Sequence, residues 1–161
     1  MSDATAPSPS TPGLRLDGYL PYRLSVASNE VSRLIARAYE DRFGLTIPQW
    51  RLICILAEDG ASTPQSIVAR TATDKVVISR AAQALTVRRL IQRTPNAADG
   101  RSHHLELTET GRALHAEVTP LALRYEQDVI AGLSAQDVEG LQRLLRRIEQ
   151  AAARLAADSF K

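Results

Sequence analysis

A mainly α-helical fold with one small β-hairpin is what this 161-residue sequence predicts, and three observations predict it. Apolar residues recur at three- and four-residue spacing through most of the chain. Capping residues and helix-stopping glycines punctuate that periodicity. One stretch, RTPNAADGRSHHLELT from Arg93 to Thr108, breaks it with a proline-led polar loop between two short runs, the pattern of a hairpin.

Composition bounds the rest. With 44% hydrophobic and 24% charged residues this is an ordinary globular chain, long enough for one compact domain or for a small module with a dimerisation element. Seven aromatic residues are too few for a sugar-binding or base-stacking surface. Every apolar run is short and broken by charge, so no membrane span is expected. The opening MSDATAPSPSTPG has neither a basic start nor an apolar stretch, which predicts a disordered leader over residues 1–17 rather than a signal peptide. A single cysteine, Cys54, allows no disulfide within the chain, and the expected location is the cytoplasm.

Each element has its own signal. From Leu20 to Phe43 apolar residues at Leu24, Val31, Leu34, Ile35 and Ala38 predict one helix, ended by Gly44, as an N-terminal dimerisation segment over residues 18–44. Thr46 caps the next helix, Pro48 suits its first turn and Gln49 completes a capping box. Trp50, Ile53, Cys54 and Leu56 take its core-facing positions, and Gly60 closes it. Thr63, with Pro64 behind it, caps a short helix to about Ala69. Thr73 or Asp74 then caps a longer helix to about Arg89, with Ile78, Ala81, Ala82 and Leu85 as its inner stripe. Two helices joined by a tight turn, the second longer and more basic, form a helix-turn-helix pattern. The hairpin that follows at once, with strands in LIQR and SHHLELT, makes residues 45–107 a winged helix-turn-helix domain.

Thr108 caps a long helix that Pro120 should kink or split. Ser134 and Asp137 form another capping box. The last helix repeats Val138, Leu141, Leu145, Ile148, Ala152 and Leu155 at alternating three- and four-residue steps. Such a seam needs cover. A second copy of the chain supplies it, the alternative being this chain's own first helix, so residues 108–158 are expected to be C-terminal dimerisation helices.

The net charge of +2 says little about partners, but its distribution says more. Residues 74–101 carry Lys75, Arg80, Arg88, Arg89, Arg93 and Arg101 against only Asp74 and Asp99, whereas the segments on either side are neutral or acidic. A basic excess confined to one helix and its hairpin is the footprint of a polyanion partner. His103 and His104 are adjacent in a strand and point to opposite faces, so they cannot chelate one ion together. His115 stands alone on a long helix. No metal or cofactor is expected, and the absence of a nucleophile elbow, a phosphate loop or clustered carboxylates points away from an enzyme. Arg101, just past the wing tip, is placed to reach a minor groove, with Asp99 holding the tip in shape.

At this point the sequence resembles the MarR family of winged-helix transcription regulators over roughly Leu20 to Leu155. The resemblance is carried by LTIPQWRLICIL, DKVVISRAAQAL and RRLIQRTPNAADGRSHHLELTETGRAL, and most specifically by the DGR wing followed by Leu107, Thr108 and Gly111. It implies a homodimer that binds double-stranded DNA at a pseudo-palindromic operator, usually as a repressor released by a small ligand. It places Thr63, Gln65 and Ser66 against phosphates and projects Lys75, Ser79, Arg80 and Gln83 from the recognition helix, with Arg101 in the minor groove. Two positions depart from the family pattern. Val76 and Val77 stand where small hydroxyl residues are common; they can contact thymine methyls, which predicts thymines at the centre of each half-site, and at least one of the two is expected to pack inward. Arg89 stands where glycine is common, so the turn either avoids positive φ or tolerates a strained arginine.

The resemblance also implies an effector pocket between the dimerisation helices and the winged helix. Five of the seven aromatics lie in the first fifty residues. Tyr22, Tyr39 and Trp50 are candidate wall residues, and Arg42 or Arg51 a partner for the carboxylate of an aromatic acid; a phenol or a thioester is the other expected chemistry. Two rival readings stay open: a redox sensor working through Cys54, and a winged-helix adaptor that binds protein instead of DNA.

Overall fold

The computed structural model of the chain describes residues 13–71, 73–95 and 103–158. After a 3-10 turn at Leu16–Gly18 come α1 (Leu20–Ala36), α2 (Glu40–Phe43), α3 (Ile47–Asp59), α4 (Pro64–Thr71) and α5 (Lys75–Val87). The hairpin β1 (Ile91–Pro95) and β2 (His103–Leu107) follows, then α6 (Glu109–Ile130) and α7 (Ala135–Asp158). The strands pair antiparallel with Ile91 opposite Leu107 and Pro95 opposite His103. Ser62 adds a short third rung, exchanging both backbone hydrogen bonds with Leu105 at 2.9 and 2.8 Å.

Helix starts follow the capping chemistry. The Thr46 N–H donates to Gln49 Oε1 at 3.0 Å, and the reciprocal half of the box is also made. Thr63 Oγ1 accepts from the Ser66 N–H at 3.2 Å, and of the two caps expected for α5 it is Asp74 that serves, accepting from the Val76 N–H at 2.7 Å. Ser134 and Asp137 cap each other at the start of α7.

Two elements depart from the expected pattern. The single helix expected from Leu20 to Phe43 stops at Ala36, turns through Arg37–Tyr39 and restarts as α2. Tyr39 explains the break: its side chain is buried and stacked on Trp50, and that burial draws its backbone away from helical geometry. Pro120 does not split the long helix, because α6 runs unbroken through it. Proline removes the donor to the Ala116 carbonyl, and both residues lie on the exposed side, where water can replace it.

The core sits beneath the winged helix. Leu52 and Ile53 of α3, Ile67 of α4, Ile78 and Leu85 of α5 and Leu105 of β2 are all buried in one cluster. By contrast α7 buries none of its 24 residues, and α1 buries only Ala36. Leu141, Leu144 and Leu155 remain 49%, 51% and 68% exposed.

The join between hairpin and α6 explains the Thr108–Gly111 spacing. Thr108 Oγ1 accepts from the Gly111 N–H at 3.0 Å and donates to the carbonyl of Arg89 at 2.7 Å. The Thr108 N–H donates to the Leu90 carbonyl at 3.1 Å. A Cβ on Gly111 would lie 2.0 Å from that same Leu90 oxygen, so only glycine permits the approach. We expect Gly111→Ala to cost about 1–3 kcal/mol through overpacking, read as a lower denaturation midpoint in urea. An unchanged midpoint would mean that this contact is not rigid.

Candidate nucleic-acid interface and effector cavity

Helix α5 divides its residues by angle. At about 100° per residue, Lys75, Ser79, Gln83, Val76 and Arg80 fall within an arc of roughly 140°, while Ile78, Ala81, Ala82 and Leu85 fill the opposite arc. The first set is exposed and the second is buried. Val76 and Val77 are 54% and 37% exposed, so neither packs inward. Gln65 and Ser66 are exposed at the start of α4, and the Ser66 hydroxyl donates to the Thr63 carbonyl at 2.8 Å. Asp99 and Arg101 lie outside the described residues.

The end of α5 is held by a backbone motif. The Arg89 N–H donates to the Thr86 carbonyl and the Leu90 N–H to the Leu85 carbonyl, each at 2.9 Å. These are the two bonds of a Schellman closure, which requires a left-handed residue between them. Arg89 takes that conformation with φ 57°, so the turn accepts a strained arginine where glycine would be relaxed. The strain is on the order of 1 kcal/mol. Burial of Leu85 and Leu90 on either side of the turn offsets it. Arg88 donates to the carbonyls of Phe43 at 2.7 Å and Gly44 at 3.0 Å, tying the end of α5 to the end of α2.

On the far side of α3 lies a cavity of about 690 Å³. Its walls come from α1, α3, α6 and α7 and are mainly apolar, with Trp50 and His115 as its aromatic surfaces. The two rings stack with centroids 5.5 Å apart, and Tyr39 stacks behind Trp50 at the same distance. His115 is further tied to Thr119, whose Oγ1 lies 3.3 Å from its Nε2. Ser28, Ser32 and Thr119 supply polar atoms, and Glu126 is the charged side chain on the wall.

The sequence profile of the MarR family matches residues 43–102. The transcriptional repressor NicR of Pseudomonas putida is 30% identical over 158 residues, covering 92% of this chain and 95% of its own length. The chain belongs to the MarR family. A probable transcriptional regulator from Pseudomonas aeruginosa has a solved structure similar to this one, with 32% identity and a TM-score of 0.73, covering 83% of this chain and 99% of the other. BpsR of Bordetella bronchiseptica is similar with 26% identity and a TM-score of 0.77, covering 85% and 97%. The BpsR structure was solved to explain how 6-hydroxynicotinic acid regulates its DNA binding. This MarR-family chain is a DNA-binding transcription regulator.

Of the five residues expected around an effector, the structure brings only Trp50 to the cavity wall. Tyr22 is exposed on α1. Tyr39 is in the core behind Trp50, and its burial pushes the phenol up to about 12 despite the nearby Arg51 charge. Arg42 pairs with Glu117 at 3.0 Å. Arg51 donates to Ser32 at 3.1 Å, one residue removed from the cavity. Among the cavity residues that sequence reasoning missed are His115 and Thr119, whose i,i+4 spacing puts them on one face of α6. That spacing was visible, but not which face turns toward Trp50.

Cys54 also lines the cavity, half-buried. Burial, followed by the Glu58 carboxylate, pushes its thiol up to about 11. The reactive form of cysteine is the thiolate, so this setting works against a peroxide sensor at neutral pH. A raised value means that the proton persists to higher pH. We therefore expect the rate of Cys54 alkylation by iodoacetamide to keep climbing past pH 9, where an ordinary thiol of pKa about 8.5 levels off. A plateau near pH 9 would contradict the shielding and reopen the redox reading.

Proposed function

We propose that this protein is a homodimeric repressor that holds a two-fold-symmetric operator and releases it when a flat aromatic hydroxy acid fills the cavity between α1, α3, α6 and α7. The observation that carries this reading is the cavity's position. Its wall includes α3, which packs on α5, and α6, whose cap Thr108 is bonded to the Arg89–Leu90 turn that leads into the hairpin. A ligand there touches both the reading unit, residues 45–107, and the segments proposed to hold the dimer, residues 18–44 and 108–158.

The dimer rests on the uncovered seam of α7. A helix with strong apolar periodicity and no buried residue is stable only when a partner covers it, and a second copy offers the same surface by two-fold symmetry. On DNA, Lys75, Ser79, Arg80 and Gln83 reach into the major groove. Arg80 takes a phosphate or a guanine edge and Gln83 an adenine edge, while Thr63, Gln65 and Ser66 meet phosphates beside them. Arg101, which with Asp99 lies outside the described residues, takes the minor groove.

The ligand chemistry follows from the wall. The Trp50–His115 pair offers an aromatic face for a planar ring, and Ser28, Ser32 and Thr119 offer hydrogen bonds to hydroxyl or ring nitrogen atoms. The cation nearest in function is Arg51, already bonded to Ser32, which a carboxylate entering beside Ser32 would recruit. The action of 6-hydroxynicotinic acid on the relative BpsR supports this class. Trp50 is the single tryptophan of the chain, so its emission reports on the cavity alone. We expect 6-hydroxynicotinic acid, or a related aromatic hydroxy acid, to quench that emission saturably and to release bound DNA over the same concentration range. Quenching with DNA binding unaltered would show an occupied cavity that does not regulate.

A further inference from the structure

We propose that Val76 is a base-reading residue, selecting thymine at one position of each half-site by contact with the 5-methyl group in the major groove. The proposal rests on the reading that α5 enters that groove and deepens it by naming what the groove-facing surface recognises.

Stability alone selects against a valine at this position. Val76 lies in the first turn of α5, directly after the Asp74 cap, and is 54% exposed. β-Branched residues are mediocre helix formers, and polar or acidic residues suit an exposed first turn better. Neither Val76 nor Val77 belongs to the core cluster. Their methyls are therefore left at the surface among Lys75, Ser79 and Arg80.

The placement suits a reader. Val76 lies in the middle of the exposed arc, about 20° from Gln83 and between Lys75 and Arg80, whereas Val77 lies at its margin. A cation on each side brings the phosphate backbone close and aligns the groove. Asp74 accepts from the Val76 N–H at 2.7 Å, fixing the backbone. A valine in a helix keeps one strongly preferred side-chain rotamer, so its methyl groups point in a set direction before DNA arrives. The thymine methyl is the apolar group that base pairs present in the major groove, and cytosine, adenine and guanine present polar edges there. A rigid apolar pair bracketed by cations fits a thymine methyl and has no hydrogen bond to offer any other edge.

The test uses deoxyuridine, which differs from thymidine by that one methyl. A randomised duplex library is first enriched with the wild-type protein, and each thymine of the enriched half-site is then replaced by uracil in turn. A replacement in one half-site should weaken wild-type binding about four-fold, the value of one buried methyl-sized group, and roughly fifteen-fold when made in both half-sites. Val76→Ala, a surface change that leaves the fold intact by circular dichroism, should bind the thymine and uracil sites equally. Two results overturn the proposal while leaving DNA recognition standing: no uracil replacement matters, or the same replacement weakens Val76→Ala as much as wild type, which would assign the methyl's effect to DNA shape. Failure to enrich any sequence would overturn the DNA reading itself, and the proposal with it.

Discussion

The carbonyl oxygen of Leu90 is where three parts of the molecule meet. It accepts from the backbone of Thr108, whose hydroxyl also reaches it at 3.1 Å, and the missing Cβ of Gly111 lets α6 lie against it. On one side of this oxygen is the left-handed turn that ends α5; on the other is the first turn of the long helix that carries His115 and Thr119 to the cavity. These contacts bond the first turn of α6 directly to the turn that ends α5 and leads into the hairpin.

The strain at Arg89 belongs to the same junction. A left-handed arginine persists only where its surroundings over-determine it. Here they do: two backbone bonds close the turn, Leu85 and Leu90 bury the flanks, Arg88 grips the end of α2, and Thr108 takes the Arg89 carbonyl. The cost of the residue is local, while the interactions that hold it come from α5, α2 and the cap of α6. This is why the departure from glycine leaves the fold intact.

Local chemistry was legible in the sequence wherever it is settled within a few residues. The caps at Thr46, Thr63, Asp74, Thr108 and Ser134 and the buried stripe of α5 depend on neighbours two to four positions away, and all of them appear in the structure. Features set by distant contacts were not legible. No glycine or proline marks the break after Ala36, because it comes from the burial of Tyr39 against Trp50 on another helix. The same reason hid the cavity: Trp50 and His115 stack across 65 positions of sequence, and the arginines near Trp50 in sequence turn instead to Glu117 and Ser32.

The central claim is that the cavity and the recognition helix are mechanically one body joined at Leu90. The direct measurement is the distance between the two reading units of the proposed dimer, by pulsed dipolar spectroscopy on spin labels at Ala69→Cys in a Cys54→Ser background. Ala69 is exposed on α4, away from the cavity. The account predicts a narrow distance in the free dimer that shifts to a new value as 6-hydroxynicotinic acid saturates the Trp50 signal. A saturated Trp50 signal with an unchanged distance would contradict it, because the ligand would then occupy the cavity without moving the helices that hold DNA.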